Sequence, residues 1–500
     1  MNKEKIDKLI GLFGPDRVST EMDQLKSFAS ASLIKGNVPA CVVRVNDGFE
    51  IEKLVKFANE ENIKLIPSSS NGEHRNGGTV PAVKDVVIVD LSGMKNIYDT
   101  DRTFRITAIE AGVTYEELIP ELAKKGLMID MPLAPKAGKS VIASLLETEP
   151  RLNPNMQWNV LDPIRATEVI WGDGNRMRTG EAAGLPLKLA GKEAVTFAHE
   201  KKHQYLVNMC GPDTIDYYRL LTGAQGTMGI VPWGTVKCAL LPDLREAHLV
   251  VSEKLNDVIE FMYQMEHLRC GDGLFVLNGK NLAALMSDSS NSANELAKKL
   301  PAWICVAVLA SRPPLPEKRL IAQRECMEIA AAQANVRIVR QVADIRADDI
   351  MKKAFSPCKP GAYWKDIEKG NSADVFFLCT MDRASDFIDI AKEEAKKAGV
   401  SADALGIYIQ PKHQGVSCRV EIRIPYSNDE SENAEKLFNA LPDALYGSGA
   451  FFSRPYGKEA EVQLPVDKGS SERLKKLKGI FDPNNVLNPG HLSDWQNAEH

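Results

Sequence analysis

The chain alternates two periodicities. Ile51, Leu54, Val55 and Ala58 recur at helical spacing, and "IKLIP" after them reads as a short buried strand. "DVVIVDL" is a continuous apolar strand, and "TFRITAIEAGV" alternates as another. Thr114-x-x-Glu117 is a capping box opening a helix with Leu118, Ile119 and Leu122 inward and Gly126 just past its end. "ATEVIWGDGNRMRTG" predicts a hairpin turning on the two residues Asp173-Gly174. Beyond residue 241 helices such as "DFIDIAKEEAKKAG" alternate with strands such as "LGIYIQP" and "VSCRVEIRIPY". Along residues 418 to 424, alternation puts Arg419, Glu421 and Arg423 on one strand face, to meet either solvent or a substrate. The pattern predicts an α+β protein.

Five hundred residues, 44% apolar and 26% charged, suffice for several cored domains. The formal charge of −5 is interspersed, which argues against nucleic-acid binding. The N-terminus has no signal-peptide apolar region and no stretch is long enough to span a bilayer, so a cytoplasmic location is expected. The nine cysteines form no CxxC, which excludes a local zinc ribbon or ferredoxin-type cluster and fits reduced thiols.

Between the strands "IKLIP" and "VVIVDL" lies "PSSSNGEHRNGGTVP", residues 67 to 81. Small side chains and glycines let a loop turn several backbone N–H groups inward, and such a concave row of amides suits phosphate oxygens. A second motif, "HEKKH" at 199 to 203, has the H-E-x-x-H form of zinc peptidases, with His199 and His203 one helical turn apart. Leu206 stands where a continuation glycine belongs, and no glutamate follows before Glu246, so a peptidase is not expected; a surface helix is, with a metal or substrate contact through His199, Glu200 and His203 as the secondary alternative.

The succession of Pro67, the Ser/Gly loop, "VVIVDLSGMKNIYDTDRTFRITAIEAGVTYEELIPELAKKGL" and "EVIWGDGNRMRTG", followed by "LLTGAQGTMGIV" and "FDPNNVLNPGHL", resembles the vanillyl-alcohol oxidase and p-cresol methylhydroxylase superfamily, which includes glycolate and D-lactate dehydrogenases. The resemblance implies a two-subdomain FAD-binding domain over residues 1–240, an α+β substrate cap over 241–460, and a C-terminal segment, 461–500, returning to the first. FAD is the implied cofactor, bound dissociably, with His74 the residue to test for covalent attachment. Pro67, Ser68, Ser69, Ser70, Asn71, Gly72, His74 and Gly77 would wrap its pyrophosphate. Val169 and Ile170 would pass the adenine, Ser140, Ser144 and Glu147 would neighbour the flavin ring, and Gly226, Gly229, Ile230 and Asn488 complete the implied cofactor set.

Arg454 in "GSGAFFSRPYG" matches the family arginine that holds a phenolate, with Ser453 in place of its tyrosine and Tyr456 close by. Candidate bases are His413, Tyr456 and Glu421. The implied reaction is hydride transfer from an aromatic alcohol or alkylphenol to flavin. A 2-hydroxy-acid dehydrogenase and a flavin-carrying electron-transfer subunit are the alternatives. A small-molecule substrate, a homo-oligomer and a separate electron-acceptor protein are the partners implied, with no membrane insertion.

Overall fold

A computed structural model of the protein describes residues 1–72, 74–154, 163–180, 217–412, 417–492 and 496. Three larger sheets organise it. In the first, Cys41–Arg44, Val86–Asp90 and Lys64–Ser68 run parallel, with Val18–Ser19 antiparallel at the edge. Helix Gly48–Glu61 connects the outer two parallel strands. It starts where Asp47 accepts the Glu50 N–H and ends at Asn62, whose φ of 49° stops the helix, while Ile51, Leu54, Val55 and Ala58 pack inward.

Strands Lys64–Ser68 and Val86–Asp90 are parallel neighbours, so the chain must cross back between them. A helix usually makes that crossing. Here residues 69 to 85 do so with only a 3₁₀ turn at Gly77–Thr79, which lays the Ser/Gly loop over the carboxyl ends of the parallel strands, where open sheets of this kind bind ligands. Beside the loop, the Leu65 N–H donates to Val486 O at 2.8 Å and the Asn488 N–H to Leu65 O at 2.8 Å, so the C-terminal segment extends this sheet.

The second sheet is antiparallel, in the order Arg176–Gly180, Ile164–Trp171, Trp233–Lys237, Ile106–Glu110 and Ile97–Asp101. The hairpin at its edge has a three-residue connection, Gly172–Asp173–Gly174, where the sequence suggests two. The Trp171 N–H donates to Asn175 O, and Gly174 takes φ 83°. Gly172 is required there because a Cβ would lie 2.4 Å from Asp482. The capping box at Thr114 and Glu117 is formed, with Gly126 left-handed just beyond the helix Tyr115–Lys124.

The third sheet has seven antiparallel strands in the order Ile338–Val339, Leu244–Ser252, Trp303–Ser311, Gly273–Asn278, Gly406–Lys412, Ser417–Tyr426 and Asn371–Cys379. Helices Leu255–His267, Pro316–Gln333, Ala384–Lys397 and Ser431–Gly447 pack an apolar core against one face. Part of the other face is apolar, beneath helices Gly279–Met286 and Ala347–Ala354. The remainder is polar, because Asp374, Glu421, Arg419 and Arg423 alternate with core residues and stand together across the strands. Arg419, Glu421 and Arg423 are 6%, 5% and 0% exposed, so the alternating charges form a buried wall rather than a solvent ladder. No helix among the described residues is long and apolar enough to cross a membrane.

Candidate active site

The Ser/Gly loop and the polar wall face each other across a trench with two lobes. One, of about 190 Å³, lies between Ser68–Asn71 and His74 on one side and Trp364, Lys365, Phe376, Tyr408, Arg419 and Glu421 on the other. The other, of about 120 Å³, continues under Leu91, Ile142, Leu221, Gly226, Gly229 and Ile230, and is mostly apolar. Pro67, Ser68, Ser69, Gly78 and Thr79 line both, so the loop runs along the trench.

Small residues hold this cradle open. A Cβ on Gly138 would sit 2.4 Å from Asn71 O, and that same pairing carries the Asn71 N–H to Gly138 O bond at 2.8 Å. Gly226 has φ 71°, and its Cβ would meet the Pro67 ring at 2.8 Å. Asn488 locks the floor by donating from its side-chain amide to Gly78 O at 2.9 Å and Gln225 O at 2.6 Å, joining three distant segments. A long groove walled by hydroxyls and main chain along one half and apolar along the other fits a dinucleotide, whose pyrophosphate needs close donors and whose ring needs apolar cover. FAD would be held by the loop 67–79 together with Gly226 to Ile230.

The polar wall is a buried ion network. Lys365 donates to Glu421 and, at 2.8 Å, to Asp374. Arg419 donates to the other Glu421 oxygen at 3.0 Å while its guanidinium lies 3.9 Å from the Phe376 ring centroid. Arg75, from the Ser/Gly loop itself, reaches across to Asp374 at 2.9 Å, Asp366 at 3.0 Å and the Ser372 hydroxyl at 2.6 Å. Burial pushes the Asp374 carboxyl up, but Arg75 and Lys365 outweigh it and hold it well below the usual carboxylate range. Burial likewise disfavours the Lys365 ammonium, yet Asp374 and Glu421 keep it charged. Arg423 anchors the segment from below, donating to Asn281 Oδ1, Lys365 O and Glu368.

A second network closes the end of the trench. Lys139 pairs with Glu147 at 2.8 Å and Glu149 at 3.1 Å, and Ser144 donates to Glu149 at 2.6 Å. Burial raises the Glu149 carboxyl, but Lys139 and Arg454 bring it to about 2. Arg454, expected from the sequence to grip the substrate oxygen, is 1% exposed, donates to Glu147 at 3.0 Å and does not line either lobe. Arg419 lines the larger lobe.

Of the residues expected at the cofactor, Pro67, Ser68, Ser69, Ser70, Asn71, His74, Gly226, Gly229 and Ile230 line the trench. Gly72 lines a separate outer cleft and Gly77 a groove behind the loop. Ser140 is the N-cap of helix Val141–Leu146, with its hydroxyl on Ala111 O, and Ser144 faces Glu149; neither lines the trench. Val169 and Ile170 are packed in apolar cores. His74 is neutral, because burial and then Lys139 and Lys136 lower it to about 4, and it packs on Phe28. Tyr456 lines the apolar lobe, and its phenol is pushed up to about 12 by burial. His413, and the His199, Glu200 and His203 pattern, lie outside the described residues. Arg75, Tyr363, Trp364, Lys365, Asp374, Phe376 and Lys139 were not singled out. Alternation in "NSADVFFLC" puts Asp374 and Phe376 on one face and so gave a signal for those two.

The profile of the FAD binding domain family matches residues 39–180. The chain is 20% identical to the glycolate oxidase subunit GlcD of Bacillus subtilis, covering 98% of this chain and 97% of that protein. It is 24% identical to the mitochondrial D-lactate dehydrogenase (cytochrome) 1 of Saccharomyces cerevisiae, over 89% of this chain and 70% of that protein. Among solved structures, p-cresol methylhydroxylase with substrate bound superposes with a TM-score of 0.79 at 16% identity, covering 99% of this chain and 97% of that one. An alkyldihydroxyacetonephosphate synthase superposes with a TM-score of 0.68 at 14% identity, covering 98% of this chain and 85% of that one. The trench, the loop over the parallel strands and these likenesses agree: residues 39–180 are an FAD binding domain, the fold is that of p-cresol methylhydroxylase, and the protein is an FAD-dependent oxidoreductase.

Proposed function

We propose that the protein oxidises an aromatic alcohol or alkylphenol-type substrate bound between the cofactor and the polar wall. The observation that carries this reading is the wall itself, where Tyr363, Trp364, Phe376 and Tyr408 line the same lobe as Arg419 and Lys365, with Arg419 over the Phe376 ring and Lys365 over that of Trp364. Bound FAD supplies the hydride acceptor. The aromatic side chains give a flat ring an apolar seat. Arg419 bonds Glu421 through Nη2, and among the described residues Nη1 has no acceptor, so a substrate oxygen supplies one. Negative charge developing on that oxygen as its proton leaves is stabilised by Arg419 and Lys365, held in place beforehand by Glu421 and Asp374. Both Glu421 oxygens accept from these cations, which suits the carboxylate to positioning rather than to taking the proton. Tyr456, a phenol lining the apolar lobe, is the other described candidate for that role.

A 2-hydroxy acid is the second reading, because a guanidinium grips a carboxylate with two parallel N–H bonds and the relatives include a glycolate oxidase subunit and a D-lactate dehydrogenase. Anaerobic mixing of the FAD-loaded protein with 4-hydroxybenzyl alcohol, 4-ethylphenol, glycolate and D-lactate separates the two. Bleaching of the visible flavin band by the first pair supports the aromatic reading. Bleaching by the second pair alone replaces it with the hydroxy-acid reading.

A further inference from the structure

The Ser/Gly loop is secured near both ends by main-chain bonds. The Asn71 N–H donates to Gly138 O at one end, and the Gly77–Thr79 turn closes the other. Between them, among the described residues, the only hydrogen bonds that tie residues 72 to 76 to the rest of the fold come from the Arg75 side chain. Its three nitrogens take separate acceptors, all on the turn Trp364–Asp366 or the strand Asn371–Cys379 that follows it. Nε donates to Asp374 Oδ2 at 2.9 Å, Nη1 to Asp366 Oδ1 at 3.0 Å and Nη2 to the Ser372 hydroxyl at 2.6 Å. These acceptors are themselves fixed, because Ser372 donates to Asp366 at 2.7 Å and Lys365 shares Asp374 Oδ2 at 2.8 Å. A planar fork on three fixed points has one orientation, which an ammonium on a single point does not.

Attraction for a pyrophosphate does not account for this placement, since the two carboxylates on Arg75 offset its charge. We propose that Arg75 is a positioning residue for FAD: it clamps the cofactor loop to the polar wall, so that cofactor affinity depends on Asp366, a residue that lines neither lobe of the trench. The contribution is conformational. A loop already held in the shape that binds loses less freedom when the cofactor arrives. This inference rests on FAD lying in the trench and on no particular substrate.

The test is an equilibrium titration of the FAD-free full chain with FAD, followed by flavin fluorescence, for the wild type, Asp366→Ala, Arg75→Met, Arg75→Lys and the double variant Asp366→Ala with Arg75→Met. Loss of Asp366 removes a negative charge, which by charge alone tightens the binding of an anionic cofactor. The clamp predicts the opposite sign: Asp366→Ala weakens FAD binding about threefold or more, Arg75→Met about tenfold or more, and the double variant no more than Arg75→Met. Arg75→Lys behaves as Arg75→Met, because it keeps the charge and loses the three-point hold. Unchanged or tighter binding in Asp366→Ala overturns the proposal, as do effects that multiply in the double variant or full affinity in Arg75→Lys. If the Arg75 variants do not fold, the sign of the Asp366→Ala effect decides alone. A wild type without saturable FAD binding overturns the placement of the cofactor, and this proposal with it, before any variant is compared.

Discussion

At the scale of single residues, the site is defined by charges that are buried and paired. Arg419 is the cation expected to touch substrate, so Arg419→Met raises KM for a reducing substrate about tenfold or more, while the spectrum of bound FAD is unchanged. A KM equal to that of the wild type would place the anchor elsewhere. Arg423 has a different task. It is fully buried, and its removal strands Glu368 without that partner, so Arg423→Met costs about 3–5 kcal/mol in urea unfolding. A loss below about 1 kcal/mol would contradict this account of the wall.

Glu266 offers a test that the site does not influence. It is 1% exposed in the core against the large sheet, neither carboxyl oxygen has a partner among the described residues, and burial raises its pKa from 4.5 to about 7. The folded protein therefore keeps a proton that the unfolded chain releases between about pH 4.5 and 7, so this group's contribution to stability is lost as pH rises through that window. Glu266→Leu is expected to flatten the decline of Tm from pH 5 to 8. An unchanged slope would show that the carboxyl is ionised in the fold.

Among the elements, legibility followed periodicity and turn chemistry. The strand "DVVIVDL", the helix opened by Thr114 and Glu117, and the strand carrying Arg419, Glu421 and Arg423 could each be read from local pattern, because side-chain spacing alone fixes them. Thr114→Ala is expected to cost about 1 kcal/mol, the usual value of such a cap, as measured by the urea midpoint. What the pattern could not show was which partner each face meets. The burial of the charged face depends on residues such as Lys365 and Arg75, which lie 56 and 346 positions from Glu421 and are brought there only by the sheet order and the crossing loop. Arg454 illustrates the same limit: its motif identified an arginine near the site, but not its partner Glu147, 307 residues away. The hairpin missed by one residue because Gly172 answers to Asp482 across the fold rather than to its neighbours.

For the whole molecule, the account depends on one relation: a Ser/Gly loop at the carboxyl ends of a parallel sheet faces the polar wall of a second, antiparallel sheet, across the trench that would hold FAD. Arg75 joins the two, since it starts in the loop and ends on Asp374 of the wall. The most direct test is an equilibrium titration of FAD-free protein with FAD, comparing the wild type with Gly138→Val. The valine would collide with the Asn71 carbonyl at the base of the loop. The expected result is saturable binding of one FAD by the wild type, and binding weakened about a hundredfold in the variant at an unchanged far-UV spectrum. Equal affinity in the two proteins would mean that the loop does not hold the cofactor and would contradict the placement of the site.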